Sequence, residues 1–163
     1  MEIILAENHG FCYGVKRAVE MANEAANSDG KSYTLGPIIH NPQVVGRLED
    51  KGVSPVQEVS DIEEGTMIIR SHGVGPAIYE EAEEKGLHIV DATCPYVKKA
   101  QQDAKSVIED GMTLVILGEK NHPEVKSINL WANNKGIIIE DEESAEKLQI
   151  VEKMGVVVQT TFS

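Results

Sequence analysis

An internal repeat is the feature of this sequence that most constrains its fold. The segments "CYGVKRA" (residues 12–18) and "CPYVKKA" (residues 94–100) share the pattern CxxVK, followed by a basic residue and alanine. A second matched pair, "LGPIIH" (35–40) and "LGEKNH" (117–122), stands at the same offset of 82 residues. Two matched features at one offset indicate a duplication. The sequence therefore predicts two related units, residues 1–94 and 95–163, with their boundary near "DATCPY".

Short apolar runs alternate along the chain with segments of helical periodicity. The runs that predict strands are "EIILA", "KSYTLG", "GTMIIR", "LHIVD", "TLVILG", "GIIIED" and "GVVVQTT". Regular alternation of this kind favours the α/β class with mainly parallel sheets. Because each unit is small, we expect the two to pack closely instead of being joined by a flexible linker.

Charge and hydropathy narrow the classes of partner. The chain has 27 acidic and 15 basic residues, a formal net charge of −12, which disfavours nucleic acids and anionic membranes as partners. No apolar run approaches the roughly 18 residues of a membrane span, and no secretory leader is visible, so we expect a cytoplasmic protein. In that reducing compartment its two cysteines are interpreted as thiols or metal ligands.

Polar residues follow many of the predicted strands. In parallel sheets, ligands gather at the carboxyl ends of the strands. We therefore expect one central cleft to receive the residues that follow apolar runs, namely Cys12, His40, His72, Cys94, His122 and Thr160.

The two cysteines are stronger candidates for metal ligands when they are considered together. A lone intracellular cysteine is most often a small buried apolar residue. Cys12 and Cys94, however, occupy the same place in the two repeats, which favours equivalent metal ligands. Two thiolates do not complete a zinc site or a 4Fe-4S cluster, so further donors are needed.

Three histidines also occupy loops that follow strands. A single histidine in such a loop is usually a surface or packing residue, which is our interpretation of His9 and His88. His40, His72 and His122 together make a better case for binding an anion such as phosphate, because imidazole and glycine-rich backbone groups donate to its oxygens.

Glu124 and Thr160 have simpler explanations when each is considered alone. An acidic residue suits the first turn of a helix, and threonine suits a strand. Beside a phosphate pocket, Glu124 becomes a candidate proton donor, and the hydroxyl of Thr160 a candidate contact for a substrate oxygen.

Six motifs, in order along the whole chain, carry a family resemblance. They are "GFCYGVKRAV", "HNPQVV", "SHGV", "DATCPYVKK", "NHPEV" and "QTT". This set closely resembles the 4-hydroxy-3-methylbut-2-enyl diphosphate reductases, also called IspH or LytB. The resemblance implies a trefoil of three α/β units around a 4Fe-4S cluster. It also implies reductive removal of the substrate 4-hydroxyl to give isopentenyl and dimethylallyl diphosphate, the last step of the methylerythritol phosphate route to isoprenoids.

The resemblance also implies a role for each candidate residue. Cys12 and Cys94 would be two of three cluster ligands, and His40, His72 and His122 would contact the diphosphate or the rest of the substrate. Glu124 would be the proton source, and Thr160 its partner in a hydroxyl and proton network. An external electron donor such as ferredoxin or flavodoxin is implied as a partner.

The sequence departs from this family at its end. A family member continues for about one further unit, which carries the third cysteine, whereas this sequence stops at Ser163. We therefore expect a missing third unit or a second chain as partner, against which the predicted strand "EIILA" would pack. Two alternatives stay open. One is a noncatalytic module that binds zinc or a phosphate metabolite. The other is a thiol enzyme with Cys94 as nucleophile, against which the duplicated cysteine argues.

Overall fold

The structure is a computed structural model that describes residues 2–7, 9–28, 30–149 and 152–162. Its helices are α1 (Tyr13–Ala26), α2 (Pro42–Glu49), α3 (Pro76–Glu84), α4 (Pro95–Glu109), α5 (Pro123–Trp131) and α6 (Glu142–Glu146). Its strands are β1 (Ser32–Leu35), β2 (Val53–Val56), β3 (Thr66–Ile69), β4 (His88–Asp91), β5 (Thr113–Leu117), β6 (Ile137–Ile139) and β7 (Met154–Val158). A short 3-10 helix spans Val59–Asp61.

The strands form two parallel sheets. The first has the order β2-β1-β3-β4 and the second the order β6-β5-β7. This arrangement confirms the α/β class with parallel pairing. The order β2-β1-β3 recurs as β6-β5-β7, as a duplicated unit would require. The sheets lie on either side of the boundary between residues 94 and 95, which as a domain boundary stays a prediction.

The first sheet is buried between helices. All four residues of β3 are buried, as expected of a parallel strand that is covered on both faces. On one face, Ile68 belongs to a core with Ala18 and Ala22 of α1. On the other face, Met67 and Ile69 pack in a second core that includes residues of α3. Alternate side chains of β3 therefore pack against helices on opposite faces of the sheet.

The second sheet has its own core around β5. Leu114 and Ile116 of this strand are fully buried and cluster with Ile128 of α5 and Ala104 of α4. Gly155 of β7 lies against α4 so closely that a Cβ there would overlap with the side chain of Val107. Helices α4 and α5 are thereby packed on the second sheet.

The prediction of a strand at "EIILA" is wrong for this structure. Residues 2–6 adopt no regular structure, and Ile3, Ile4 and Leu5 are 75%, 84% and 74% exposed. A strand needs a neighbouring edge to bond its N–H and C=O groups. The described strands pair only with one another, and none of them pairs with residues 2–6.

Strand β2 was not predicted from the sequence. It contains Pro55, which lacks the N–H needed in the middle of a sheet, and it lies at the edge of the first sheet, where proline is tolerated.

Within the described ranges, no helix combines the length and apolar character needed to cross a bilayer.

Candidate functional site

The two cysteines lie at the beginnings of two long helices. Cys12 is the N-cap residue of α1 and Cys94 that of α4, and both are free thiols. A Cβ at position 14 would overlap with Sγ of Cys94, so only glycine there lets this sulfur pack against the first turn of α1. Each cysteine thus stands at a helix N-terminus, and the sulfur of Cys94 lies beside the first turn of α1.

Three imidazoles from three loops meet in one group, which we call the histidine cradle. His40 follows β1, His72 follows β3 and His122 follows β5. The ring centroids of His40 and His72 are 4.6 Å apart, those of His72 and His122 are 5.5 Å apart, and those of His40 and His122 are 6.2 Å apart. The structure therefore brings together the three histidines that the sequence singled out, from both repeats.

Helix α5 holds the loop that carries His72. The hydroxyl oxygen of Ser127 lies 2.8 Å from the carbonyl oxygen of His72. One turn along the helix, the indole N–H of Trp131 donates to the carbonyl of Val74 at 2.9 Å. The second repeat therefore positions the middle histidine of the first.

The same loop is tied to Cys94. The backbone N–H of Cys94 donates to the carbonyl of Ser71 at 2.9 Å. Gly73 has a φ of +71°, and a Cβ there would overlap with the amide nitrogen of Gln101, so glycine is required for both conformation and space. His72 is thereby fixed next to the cysteine at the start of α4.

The imidazole of His122 has a defined orientation. His122 is the N-cap of α5, and its Nδ1 accepts a hydrogen bond from the backbone N–H of Glu124 at 3.2 Å. In the neutral ring the proton must then be on Nε2, which can donate to an anion. In the first repeat Asn41 provides the N-cap of α2, so His40 lies one residue before the cap.

His72 has the most perturbed electrostatic environment of the three. Burial, followed by repulsion from His40, Arg70 and His122, lowers the pKa of its imidazole from 6.5 to about 4. Its Nδ1 is buried and has no hydrogen-bond partner among the described residues. His72 is therefore neutral at neutral pH and has a nitrogen available for a ligand.

Buried Glu124 forms a hydrogen-bonded pair with Thr160, which is exposed. Glu124 is only 1% exposed to solvent. Its Oε1 accepts from the backbone N–H of Thr160 at 2.6 Å, and its Oε2 accepts from the Thr160 hydroxyl at 2.9 Å. Because Glu124 is two residues beyond His122, this pair lies at the start of α5, beside the histidine cradle.

Sequence reasoning missed several residues that shape this site. Ser127 and Gln101 hydrogen-bond to each other at 3.2 Å under the His72 loop, and both are buried. Arg70 follows directly after the fully buried β3, and its positive charge disfavours protonation of the His72 imidazole. A basic residue directly after the apolar run of residues 67–69 was a signal that the sequence offered for Arg70. Ser127 gives no such signal, because serine is common on helices.

The fold and the site define a class: a parallel α/β protein with a histidine cradle and a buried carboxylate, and with two thiols at helix N-termini. A family model described as LytB protein matches residues 3–163. The chain belongs to the LytB family.

Curated relatives agree with this assignment. The 4-hydroxy-3-methylbut-2-enyl diphosphate reductases of Geobacter metallireducens and Geotalea uraniireducens are both 52% identical to this chain over 163 residues. The alignments cover 100% of this chain and 58% of each relative. The chain thus spans little more than half the length of the curated relatives it matches.

Solved structures match the fold as well. A structure of (E)-4-hydroxy-3-methyl-but-2-enyl diphosphate reductase superposes with a TM-score of 0.85 at 48% identity, over 98% of this chain and 58% of that one. The E-1-hydroxy-2-methyl-but-2-enyl-4-diphosphate reductase of Plasmodium falciparum superposes with a TM-score of 0.89 at 31% identity, over 95% of this chain and 50% of that one.

The lowered pKa of His72 predicts an acid-sensitive fold. Below pH 6.5 the unfolded chain binds a proton that folded His72 binds only near pH 4, so the free energy of unfolding should fall as the pH drops through this window. Urea unfolding at several pH values measures this fall. The His72→Gln variant should lose part of the slope, and His88→Gln, which changes an exposed histidine, should keep it. An unchanged slope in His72→Gln would contradict the assignment.

Proposed function

We propose that this chain forms two units of an iron-sulfur diphosphate reductase acting on 4-hydroxy-3-methylbut-2-enyl diphosphate. One observation carries the proposal: the buried carboxylate of Glu124, held by Thr160, lies two residues from His122, whose ring meets those of His40 and His72. A proton source beside an anion cradle is what reductive removal of a hydroxyl from a diphosphate requires. The names of the relatives support the same substrate.

The histidine cradle would bind the diphosphate. Its ligating nitrogens all lie within 4.8 Å of one another, which suits several donors to one compact anion. Nε2 of His122 carries the ring proton and can donate to a phosphate oxygen. A bound anion would also favour the protonated form of His72, because it offsets the repulsion from the two neighbouring imidazoles and Arg70.

Glu124 would hold and deliver a proton. The overall change breaks the bond between C4 and its hydroxyl oxygen, consumes two electrons and two protons, and releases water with isopentenyl or dimethylallyl diphosphate. The carboxyl group of Glu124 is shielded from solvent, so a proton placed there reaches the departing hydroxyl and not bulk water. Thr160 would orient this carboxyl group through its N–H and hydroxyl contacts.

Cys12 and Cys94 fit two ligands of a 4Fe-4S cluster. Gly14 leaves space for the sulfur of Cys94 beside the helix that Cys12 begins, so the two thiols face neighbouring helix ends. When bound, the cluster would supply the two electrons, received from an external donor of the ferredoxin or flavodoxin kind. Since such clusters take up to four cysteines, the remaining protein ligand would come from a third unit or a second chain. In this proposal residues 1–94 and 95–163 are the first two units.

A second candidate function follows from the same histidines. Three nitrogens within 4.8 Å of one another could equally hold a zinc ion, and neutral His72 offers a lone pair for it. This would be a noncatalytic zinc module. By contrast, among the described residues no hydrogen bond joins Cys94 to a histidine, so the geometry gives no support to the thiol enzyme.

The cysteine assignment is tested by iron content. We expect Cys12→Ser and Cys94→Ser each to lose most of the iron and sulfide after anaerobic reconstitution of the protein together with its third unit, because each removes a ligand. Ser60→Ala, at an exposed position, is the control and should retain both. Wild-type iron content in either cysteine variant would exclude that residue as a ligand. Stoichiometric zinc without iron in the wild type would favour the zinc module instead.

The proton role is tested by Glu124→Gln. This change keeps the shape of the side chain but removes the acid, so turnover should fall about 10²- to 10⁴-fold while the affinity for inorganic diphosphate stays within about twofold. Glu119→Gln changes an exposed carboxylate of the same loop and should leave turnover unaltered. Near-normal turnover of Glu124→Gln in a steady-state assay would remove Glu124 from the mechanism.

A further inference from the structure

A separate cavity of about 360 Å³ lies close to the histidine cradle. We call it the Arg70 cavity. Its polar lining includes the cations Arg70 and Lys126 and the amides Gln57 and Asn121, and its apolar lining includes Ile78 and Leu130. Among the described residues that line it, none is acidic and none is a histidine of the cradle. In a protein with 27 acidic residues and a net charge of −12, such a lining is unexpected.

Arg70 lacks a partner among the described residues. Its guanidinium forms no ion pair with any of them, and its Nε is buried without a hydrogen-bond acceptor. The side chain is pressed against Gly36, where an added Cβ would come within 2.9 Å of Nη1. Partial burial of this group lowers the pKa of Arg70. A half-buried cation with a buried and unpaired Nε is a sign that a ligand supplies its partner.

The lining indicates the kind of ligand. Arginine presents a planar fork of N–H donors that matches phosphate and carboxylate oxygens, and Lys126 adds a second positive charge at the rim. The apolar side chains of Ile78 and Leu130 can cover a short hydrocarbon group. A volume of about 360 Å³ falls within the range of small-molecule sites, which extends from roughly 300 to 1,000 Å³.

We propose that the Arg70 cavity binds a small organic phosphate, with its oxyanion on Arg70 and Lys126 and its hydrocarbon part against Ile78 and Leu130. This site is distinct from the histidine cradle, because different side chains line it. The loop of residues 70–73 is shared, since Arg70 precedes and Gly73 follows His72. A ligand on Arg70 would therefore act on the cradle by neutralising a charge that repels protons from His72.

Trp131 gives a direct readout of binding. It is the single tryptophan of the chain, and its indole N–H donates to the carbonyl of Val74, a residue that lines the cavity. The probes are inorganic phosphate and n-butyl phosphate at about pH 8, where both are mostly dianionic and His72 is neutral. We expect saturable change of the Trp131 fluorescence with both probes, and about tenfold tighter binding of n-butyl phosphate, because its alkyl group leaves water.

Matched variants separate the two sites. Arg70→Gln should weaken binding of n-butyl phosphate about tenfold or more, because a charge-assisted hydrogen bond is lost. Arg70→Lys keeps the positive charge but not the planar fork of donors. Its affinity for n-butyl phosphate should therefore lie between those of Arg70→Gln and the wild type. Leu130→Ser, at an exposed position, should remove the advantage of the butyl group. His40→Ala changes a cradle residue that neither lines the cavity nor adjoins a lining residue in the chain, so it should change the affinity by no more than about twofold.

Three results would overturn the proposal. Unchanged affinity in a folded Arg70→Gln variant would exclude the guanidinium as the ligand contact. A loss confined to His40→Ala would show that the phosphate binds the histidine cradle, which would support the proposed function and not this cavity. Absence of binding up to about 10 mM, where even a weak site would be occupied, would mean that Arg70 serves a carboxylate of another protein segment.

Discussion

The candidate site depends on the contact between helix α5 and the loop that follows β3. Ser127 and Trp131, both on α5, bond the carbonyl oxygens of His72 and Val74. Because α5 begins at His122, the same helix that supports the His72 loop also delivers the third imidazole. Without this contact the two repeats would each present histidines at strand ends, but the rings would have no reason to lie within 6.2 Å of one another.

The sequence predicted the α/β class and the loops of the site because two local signals, apolar runs and helical periodicity, agree with the final packing. The strand predicted at "EIILA" failed because strand formation depends on a partner edge, which periodicity cannot reveal. Edge strand β2 was missed because it contains Pro55, and proline is atypical of a strand in the middle of a sheet. It is tolerated here because β2 pairs with a neighbouring strand on one side only. Parallel topology predicted that His40, His72 and His122 follow strand ends, whereas the support from Ser127 and the unpaired Nε of Arg70 arise only in three dimensions.

The histidine cradle and the Arg70 cavity are neighbouring regions whose charges respond differently to pH. In the histidine cradle, burial and mutual repulsion keep His72 neutral until about pH 4, so affinity for an anion there should depend on proton uptake. In the Arg70 cavity the charge is permanent in the working range of a protein. Two cations and three imidazoles thus lie around one loop, residues 70–73, in a molecule whose net charge is −12.

The central claim is that both repeats contribute imidazoles to one anion site. The most direct measurement is a titration with inorganic diphosphate, followed through the imidazole nitrogen resonances by two-dimensional NMR. The account predicts that His40, His72 and His122 shift with one common half-saturation concentration, while exposed His9 and His88 stay unchanged. Shifts at only one histidine, or at different concentrations for the two repeats, would contradict it.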